Sequence, residues 1–136
     1  MICSAVSVRQ PWAAATLYLP EPKNVENRTW PMPDKFVGKK ILLHAGKAKP
    51  RAGEWNGALY ERAMQARPML YGGIIGLVVF GPPVRGHASP WAEAGYWHWP
   101  IEQVRPCEFF PCLGRLNFFP VDVPDSIIHH NSYGNL

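Results

Sequence analysis

A lysine, a glutamate and an arginine lie within six residues of one another, at Lys23, Glu26 and Arg28. The stretch Val25 to Trp30 alternates as a strand does, so Glu26 and Arg28 share one face of it. They then either pair with each other and hold the strand edge, or face a cleft together. Lysine and carboxylate side chains that face a cleft together can take part in catalysis. Lys23 and Glu26 are therefore the candidate catalytic residues if the chain is an enzyme.

Five further side chains are candidates for contacting a nucleic acid: Gln10, Trp12, Trp30, His44 and Lys47. The rings of Trp12 and Trp30 could stack a splayed base, at about 1 to 3 kcal/mol each, and burial in a small core explains them equally well. His44 could serve as the base of a ribonuclease near neutral pH. A histidine at the end of a buried strand is more often a core residue with satisfied hydrogen bonds.

Positive charge is concentrated in one segment, although the net charge of the whole chain is only +4. Residues 23–51 contain two acids, Glu26 and Asp34, and eight bases: Lys23, Arg28, Lys35, Lys39, Lys40, Lys47, Lys49 and Arg51. A field of this kind is what a phosphate-binding face requires, because neutralised phosphates release condensed counterions. Charge alone is equally typical of a solvated, lysine-rich hairpin.

The composition indicates one globular domain. A chain of 136 residues with 47% hydrophobic residues can bury a core, and 15 prolines and 12 glycines favour short strands and turns over a helix bundle. No apolar run approaches the roughly 20 residues that cross a bilayer, so we expect no membrane association. Three cysteines, an odd number, favour a reducing, cytoplasmic compartment.

A zinc site at Cys107, Cys112 and His98 is conceivable from the sequence, but it lacks a convincing set of three or four ligands. Structural thiols are the favoured interpretation. We expect neither a metal nor a cofactor.

The pattern predicts strands at Ser4 to Val8, Val25 to Trp30, Val37 to Ala45, Gly72 to Phe80, Tyr96 to Trp99, Cys107 to Phe110 and Arg115 to Phe119. Helices are predicted over Pro11 to Leu19 and Glu54 to Ala66, the first with proline where its missing N–H costs nothing. About six short strands with two helices in the N-terminal half predict a small α+β, mainly β, domain that forms a partly closed barrel.

An ordered set of motifs resembles the ASCH (activating signal cointegrator homology) domain family: QPW at 10–12, KNVENRTW at 23–30, GKKILLHA at 38–45, GIIGLVV at 73–79 and GYWHW at 95–99. The resemblance covers residues 3 to about 120. It implies a PUA-like β-barrel, with a cleft between the N-terminal helix and the barrel, and RNA or nucleotide ligands. It does not fix an activity, because relatives include nucleic-acid binders, ribonucleases and a bacterial branch that hydrolyses an acylated cytidine.

One departure bears on that last activity. The deacylating branch carries a lysine that Lys23 matches, but it has a threonine at the position of Glu26. It also has a carboxylate on the strand matched by residues 76–80, which here offer only apolar side chains. Without that acid the general acid and base pair is incomplete unless Glu26 substitutes.

We therefore predict one ASCH-type, PUA-like domain over residues 1–124, followed by a C-terminal tail at 125–136 that includes His129 and His130. The predicted function is binding of RNA, single-stranded nucleic acid or a nucleotide by a monomer, in a cleft lined by Gln10, Lys23, Glu26, Arg28 and Lys47. The alternatives are a ribonuclease, an N4-acetylcytidine-type amidohydrolase or, in a different class, a protein-interaction adaptor.

Overall fold

The fold, known from a computed structural model that describes residues 1–129, contains six strands and three short α-helices. The strands are β1 (Ile2–Val8), β2 (Val25–Arg28), β3 (Lys40–Ala45), β4 (Gly73–Phe80), β5 (Trp97–Pro111) and β6 (Phe118–Asp122). The helices are α1 (Trp12–Tyr18), α2 (Ala58–Ala63) and α3 (Asp125–His129), with a single 3-10 turn at Asp34–Phe36. The domain is therefore α+β and mainly β, as the sequence predicted.

All six strands belong to one mixed sheet in the order β2-β5-β4-β3-β1-β6. Within this sheet only β1 and β3 run parallel, and every other neighbouring pair is antiparallel. The predicted barrel is not closed by backbone hydrogen bonds, because β2 and β6 remain at the two edges among the described residues. Side chains bridge part of that gap: the rings of Trp30, just after β2, and Phe118, in β6, lie 6.3 Å apart.

The late aromatic segment differs from the sequence prediction. Two separate strands were expected at Tyr96 to Trp99 and Cys107 to Phe110, whereas β5 runs unbroken through both and includes Pro100 and Pro106. Pro106 pairs with Gly76 at a register shift between β4 and β5. Proline is tolerated at such a bulge because its missing N–H is not needed by the ladder. The prolines therefore shape the strand and do not end it.

β3 and α2 are the elements that fall furthest short of their predicted lengths. β3 begins at Lys40, not Val37, after Gly38 adopts a left-handed φ of 73°. The helix predicted over Glu54 to Ala66 is reduced to α2, because Gly57 has a φ of 100° and separates it from the turn before it.

The sheet packs against apolar residues on both faces. One face forms what we name the first core, which includes Val6, Leu43, Val78 and Trp99. The opposite face forms the second core, with Ala5, Leu42 and Leu77 covered by Ile127 and Ile128 of α3. Residues 125–129, placed in the predicted tail, thus pack on the sheet, while residues 130–136, including His130, lie outside the described residues. No helix within residues 1–129 is long and apolar enough to span a membrane.

Candidate functional site

The parallel pairing of β1 with β3 determines where the candidate residues meet. Ser7 is aligned with His44 and Val8 with Ala45, and the Gly46 backbone N–H donates to the Val8 carbonyl at 2.9 Å. Parallel neighbouring strands point the same way, so the segments that follow β1 and β3 leave the sheet side by side. Gln10 and Lys47 are therefore brought to the same end of these strands, although they lie far apart in the sequence.

Lys23, Glu26 and Arg28, which we name the charged trio, form one connected group. The Lys23 ammonium donates to Glu26 Oε1 at 2.6 Å, and Arg28 Nε donates to Glu26 Oε2 at 2.9 Å. Arg28 Nη2 also donates to the Ser7 carbonyl at 2.9 Å. Of the two arrangements open from the sequence, pairing of Glu26 with Arg28 is therefore the one found. The trio carries one net positive charge.

Burial and electrostatics act in opposite directions on Glu26. Lys23 is 4% exposed and Glu26 7%, so both charged groups are almost fully removed from water. Burial acts to raise the pKa of the Glu26 carboxyl, but the charges and hydrogen bonds of Lys23 and Arg28 outweigh it and hold that pKa below its ordinary value. Glu26 is thus a carboxylate whose two oxygens are both engaged.

Gln10 is completely buried and serves the start of α1. Its Nε2 donates to the Leu70 carbonyl at 2.8 Å, and its Oε1 accepts from the Ala14 backbone N–H at 2.9 Å. Both ends of the amide are satisfied inside the protein. The side chain fixes α1 against the segment before β4.

The two candidate stacking rings pack inside the fold. Trp12 makes an edge contact with Trp55 at 5.7 Å and lies 6.1 Å from Tyr60. Trp30 makes an edge contact with Trp99 at 4.9 Å. Both tryptophans are partly buried, and their rings are engaged by other aromatic residues.

His44 is 1% exposed and both of its ring nitrogens have partners. Nε2 lies 2.9 Å from the Cys112 carbonyl and Nδ1 lies 2.9 Å from the Ser7 hydroxyl. A carbonyl can only accept, so Nε2 carries the proton; in the neutral ring Nδ1 is then the acceptor, and the Ser7 hydroxyl donates to it. Both ring nitrogens of His44 thus have hydrogen-bond partners, as is usual for a histidine in a core. The ring also orients the Ser7 hydroxyl.

A cavity of about 830 Å³, which we name the loop pocket, opens beside this pair. Its walls include Ser7, His44, Lys47, Tyr71, Cys112 and Arg115. Ser7 and His44 alternate with residues of the first core, so the pocket lies on the face of the second core. Arg28 lies over Trp99 of the first core, at 5.5 Å from the ring centre. The structure therefore separates the charged trio from His44 and Lys47, with Ser7 in contact with both groups.

The bases of residues 23–51 are also divided. Lys23 and Arg28 are engaged by Glu26, and the other six are exposed. Lys35, Lys39 and Lys40 precede or begin β3, whereas Lys47, Lys49 and Arg51 follow its end. A six-residue strand spans about 17 Å, so these are two clusters at opposite ends of β3. Only the second cluster adjoins the loop pocket, where the Lys49 ammonium lies 5.8 Å from the centre of the Tyr71 ring.

Ser7, Tyr71 and Arg115 were not among the predicted site residues. Ser7 occupies an ordinary strand position, and its proximity to His44 depends on a parallel register that local sequence does not encode. Arg115 reaches the pocket because β5 extends to Pro111 and the next loop returns over the end of β3. One signal in the sequence could have drawn attention to Tyr71 and Arg115. They are an aromatic and a basic residue at the ends of predicted strands.

Of the residues weighed as zinc ligands, His98 has both ring nitrogens engaged by other groups. His98 Nε2 lies 2.7 Å from the Glu93 carbonyl, and its Nδ1 accepts from the His87 backbone N–H at 3.1 Å. Burial raises the pKa of the Cys107 thiol to about 11 and also raises that of Cys112. Within residues 1–129 no group of three or more histidine, cysteine or acidic side chains is arranged to hold a metal ion.

Comparison with models of known protein families found no match, and comparison with curated proteins found none either.

Proposed function

We propose that this chain is a binding module for single-stranded RNA, and that the strand crosses the end of the sheet where β1 and β3 terminate. The observation that carries the proposal is the exposed cluster of Lys47, Lys49 and Arg51, in which Lys47 lies in the wall of an open pocket and Lys49 lies over Tyr71 of the same wall. Cations that neutralise phosphates next to an aromatic ring that stacks a base are the usual elements of a single-strand site.

In this proposal the predicted site residues have two roles. Lys47 contacts phosphate, and Tyr71, in place of Trp12 or Trp30, offers the stacking face. Gln10 and the charged trio support the site without contacting RNA, because their polar atoms already have hydrogen-bond partners within the protein. Arg28 supports the end of β1 directly through its hydrogen bond to the Ser7 carbonyl.

The resemblance to the ASCH family is part of the same proposal. A PUA-like architecture is compatible with the six-stranded mixed sheet, whose edges approach each other through Trp30 and Phe118. RNA is the ligand class that this resemblance implies. The exposed bases also support RNA as the ligand. This support is independent of the resemblance, because it depends only on which basic side chains are exposed.

The test is a titration of a short, labelled single-stranded RNA at several salt concentrations, followed by fluorescence anisotropy. Contacts from three cations predict that log Kd rises with log salt with a slope of about 2. A duplex of the same sequence is the control, since a splayed base cannot enter the pocket from a stacked helix. No binding at low salt, or an affinity independent of salt, would remove the proposal and favour the protein-interaction adaptor.

A further inference from the structure

The Ser7 hydroxyl has the surroundings of a nucleophile. It lies in the wall of the loop pocket and donates a hydrogen bond to His44 Nδ1 at 2.9 Å. The Cys112 carbonyl at 2.9 Å from Nε2 fixes the orientation and tautomer of the imidazole. A hydroxyl, a base that accepts from it and a third group that orients the base form the arrangement that activates serine in acyl transfer.

Two glycines lie next to this hydroxyl. A methyl group on Gly114 would lie 3.1 Å from Ser7 Oγ and 2.7 Å from His44 Cε1, so the Gly114 backbone passes directly beside the pair. Gly46 is also close to Ser7, with a methyl position 3.8 Å from Oγ. Neither residue has a side chain that would obstruct a small acyl group.

The rest of the pocket indicates the kind of molecule that fits. Lys47 and Arg115 are exposed cations in its wall, and Tyr71 and Leu116 supply apolar surface, Leu116 being 91% exposed. An anionic group on the substrate would meet the cations while its apolar part covers the ring and the leucine.

We infer that the loop pocket is an acyl-transfer site, in which Ser7 is the nucleophile and His44 the base, acting on small carboxylic esters that carry a phosphate or carboxylate group. Ser7 Oγ bonds to the ester carbonyl carbon as its proton passes to His44 Nδ1. The ester C–O bond breaks, and the leaving alcohol takes that proton. Water then attacks the acylated serine with His44 again as base, and this releases the carboxylic acid and restores the hydroxyl.

The experiment is incubation with 3-acetoxybenzoate, an aryl ester bearing a carboxylate, followed by mass spectrometry of the digested protein. Samples are quenched with acid during the reaction, before the acyl group is hydrolysed, and acetyl label on Ser7 is the expected result. Aryl esters also acylate exposed lysines, so the labelled residue and not the total uptake decides the outcome. Label confined to lysines would overturn the inference.

Two variants separate catalysis from a structural role of the pair. Ser7→Ala should abolish the serine label, and His44→Gln should slow its appearance on the order of 100-fold, the usual contribution of a general base. Thermal unfolding of both variants shows whether the fold survives. If His44→Gln is folded and labels Ser7 at the wild-type rate, His44 is not the base and the inference fails. The test needs no RNA, so its result is independent of the proposed function.

Discussion

The Lys23 ammonium and the Glu26 carboxylate meet at 2.6 Å in a place where both side chains are almost fully shielded from water. Two opposite charges in such surroundings cost much to desolvate, and their mutual attraction together with the Arg28 hydrogen bond offsets that cost. The intact group therefore contributes little net stability. Removing one member leaves a buried charge without a partner, and this lowers the free energy of unfolding much more.

The first prediction concerns the stability of the charged trio. Glu26→Gln leaves the buried Lys23 and the partly buried Arg28 without a counter-charge, so the free energy of unfolding should fall by about 3 kcal/mol. Urea unfolding followed by tryptophan fluorescence measures it. The matched control is Glu21→Gln, because Glu21 is 87% exposed in its side chain and pairs with Arg62 at 3.4 Å. That variant should change stability by less than about 1 kcal/mol, and a loss equal to that of Glu26→Gln would refute the argument.

The second prediction concerns pH. The folded protein holds the pKa of Glu26 below its ordinary value of 4.5, so the unfolded chain takes up this proton first as the pH falls. The contribution of Glu26 to stability is complete above 4.5 and is lost as the pH falls through the folded-state pKa. Unfolding free energies measured at neutral pH and at several values below 4.5 should show the difference between wild type and Glu26→Gln shrinking towards acid. A difference that stays constant would contradict the assigned pairing.

Much of this fold could be predicted from local pattern. β1 was found because small and apolar residues alternate over Ser4 to Val8, and β4 because an apolar run flanked by glycine has few other solutions in a small domain. The pairing of Glu26 with Arg28 was one of two predicted outcomes, since residues two apart on a strand share a face. β5 was divided wrongly because Pro100 and Pro106 are strand breakers in isolation. A proline is tolerated in a strand where the neighbouring strand does not need a backbone N–H at that position, and this depends on a pairing that local sequence does not show.

The candidate site was less predictable because it depends on register and burial. Lys23 and Gln10 have the residue types of a binding cleft, yet their polar atoms are engaged by Glu26, Leu70 and Ala14. Charge counted along the sequence treated the bases as one cluster. The direction of β3 divides them into two, which no composition argument can show.

The third prediction uses two glycines in the wall of the loop pocket. A methyl group at Gly114 would lie 2.7 Å from His44 Cε1 and 3.0 Å from Nδ1, so Gly114→Ala should cost about 1 to 3 kcal/mol by overpacking. At Gly46 the nearest atoms are 3.7 Å from that methyl position, an ordinary contact. Gly46→Ala should then be neutral, or stabilising by up to about 1 kcal/mol because the unfolded chain is less free. Thermal unfolding compares the two, and equal losses would contradict the close approach of Gly114 to the histidine.

The fourth prediction separates the two basic clusters. Lys47→Ala combined with Lys49→Ala should weaken binding of single-stranded RNA on the order of tenfold and reduce the salt dependence, because two phosphate contacts are lost. Lys39→Ala combined with Lys40→Ala removes the same charge at the other end of β3 and should change the affinity much less. Anisotropy titrations with one oligonucleotide, repeated at two salt concentrations, measure both effects. Equal weakening by both pairs would mean that RNA responds to overall charge and not to the loop pocket.

The last prediction concerns the amidohydrolase alternative: the chain should leave N4-acetylcytidine intact. Hydrolysis of that amide needs one group to activate the attacking atom and another to protonate the leaving amine. β4 is buried along its whole length and carries only apolar side chains, so it offers no carboxylate for this role. Glu26 cannot replace it without giving up Lys23 and Arg28, which occupy its two oxygens. Chromatography of the nucleoside after prolonged incubation should show cytidine only at the rate of the buffer control. Faster release that disappears in Lys23→Ala would establish the amidohydrolase and assign Lys23 to its chemistry.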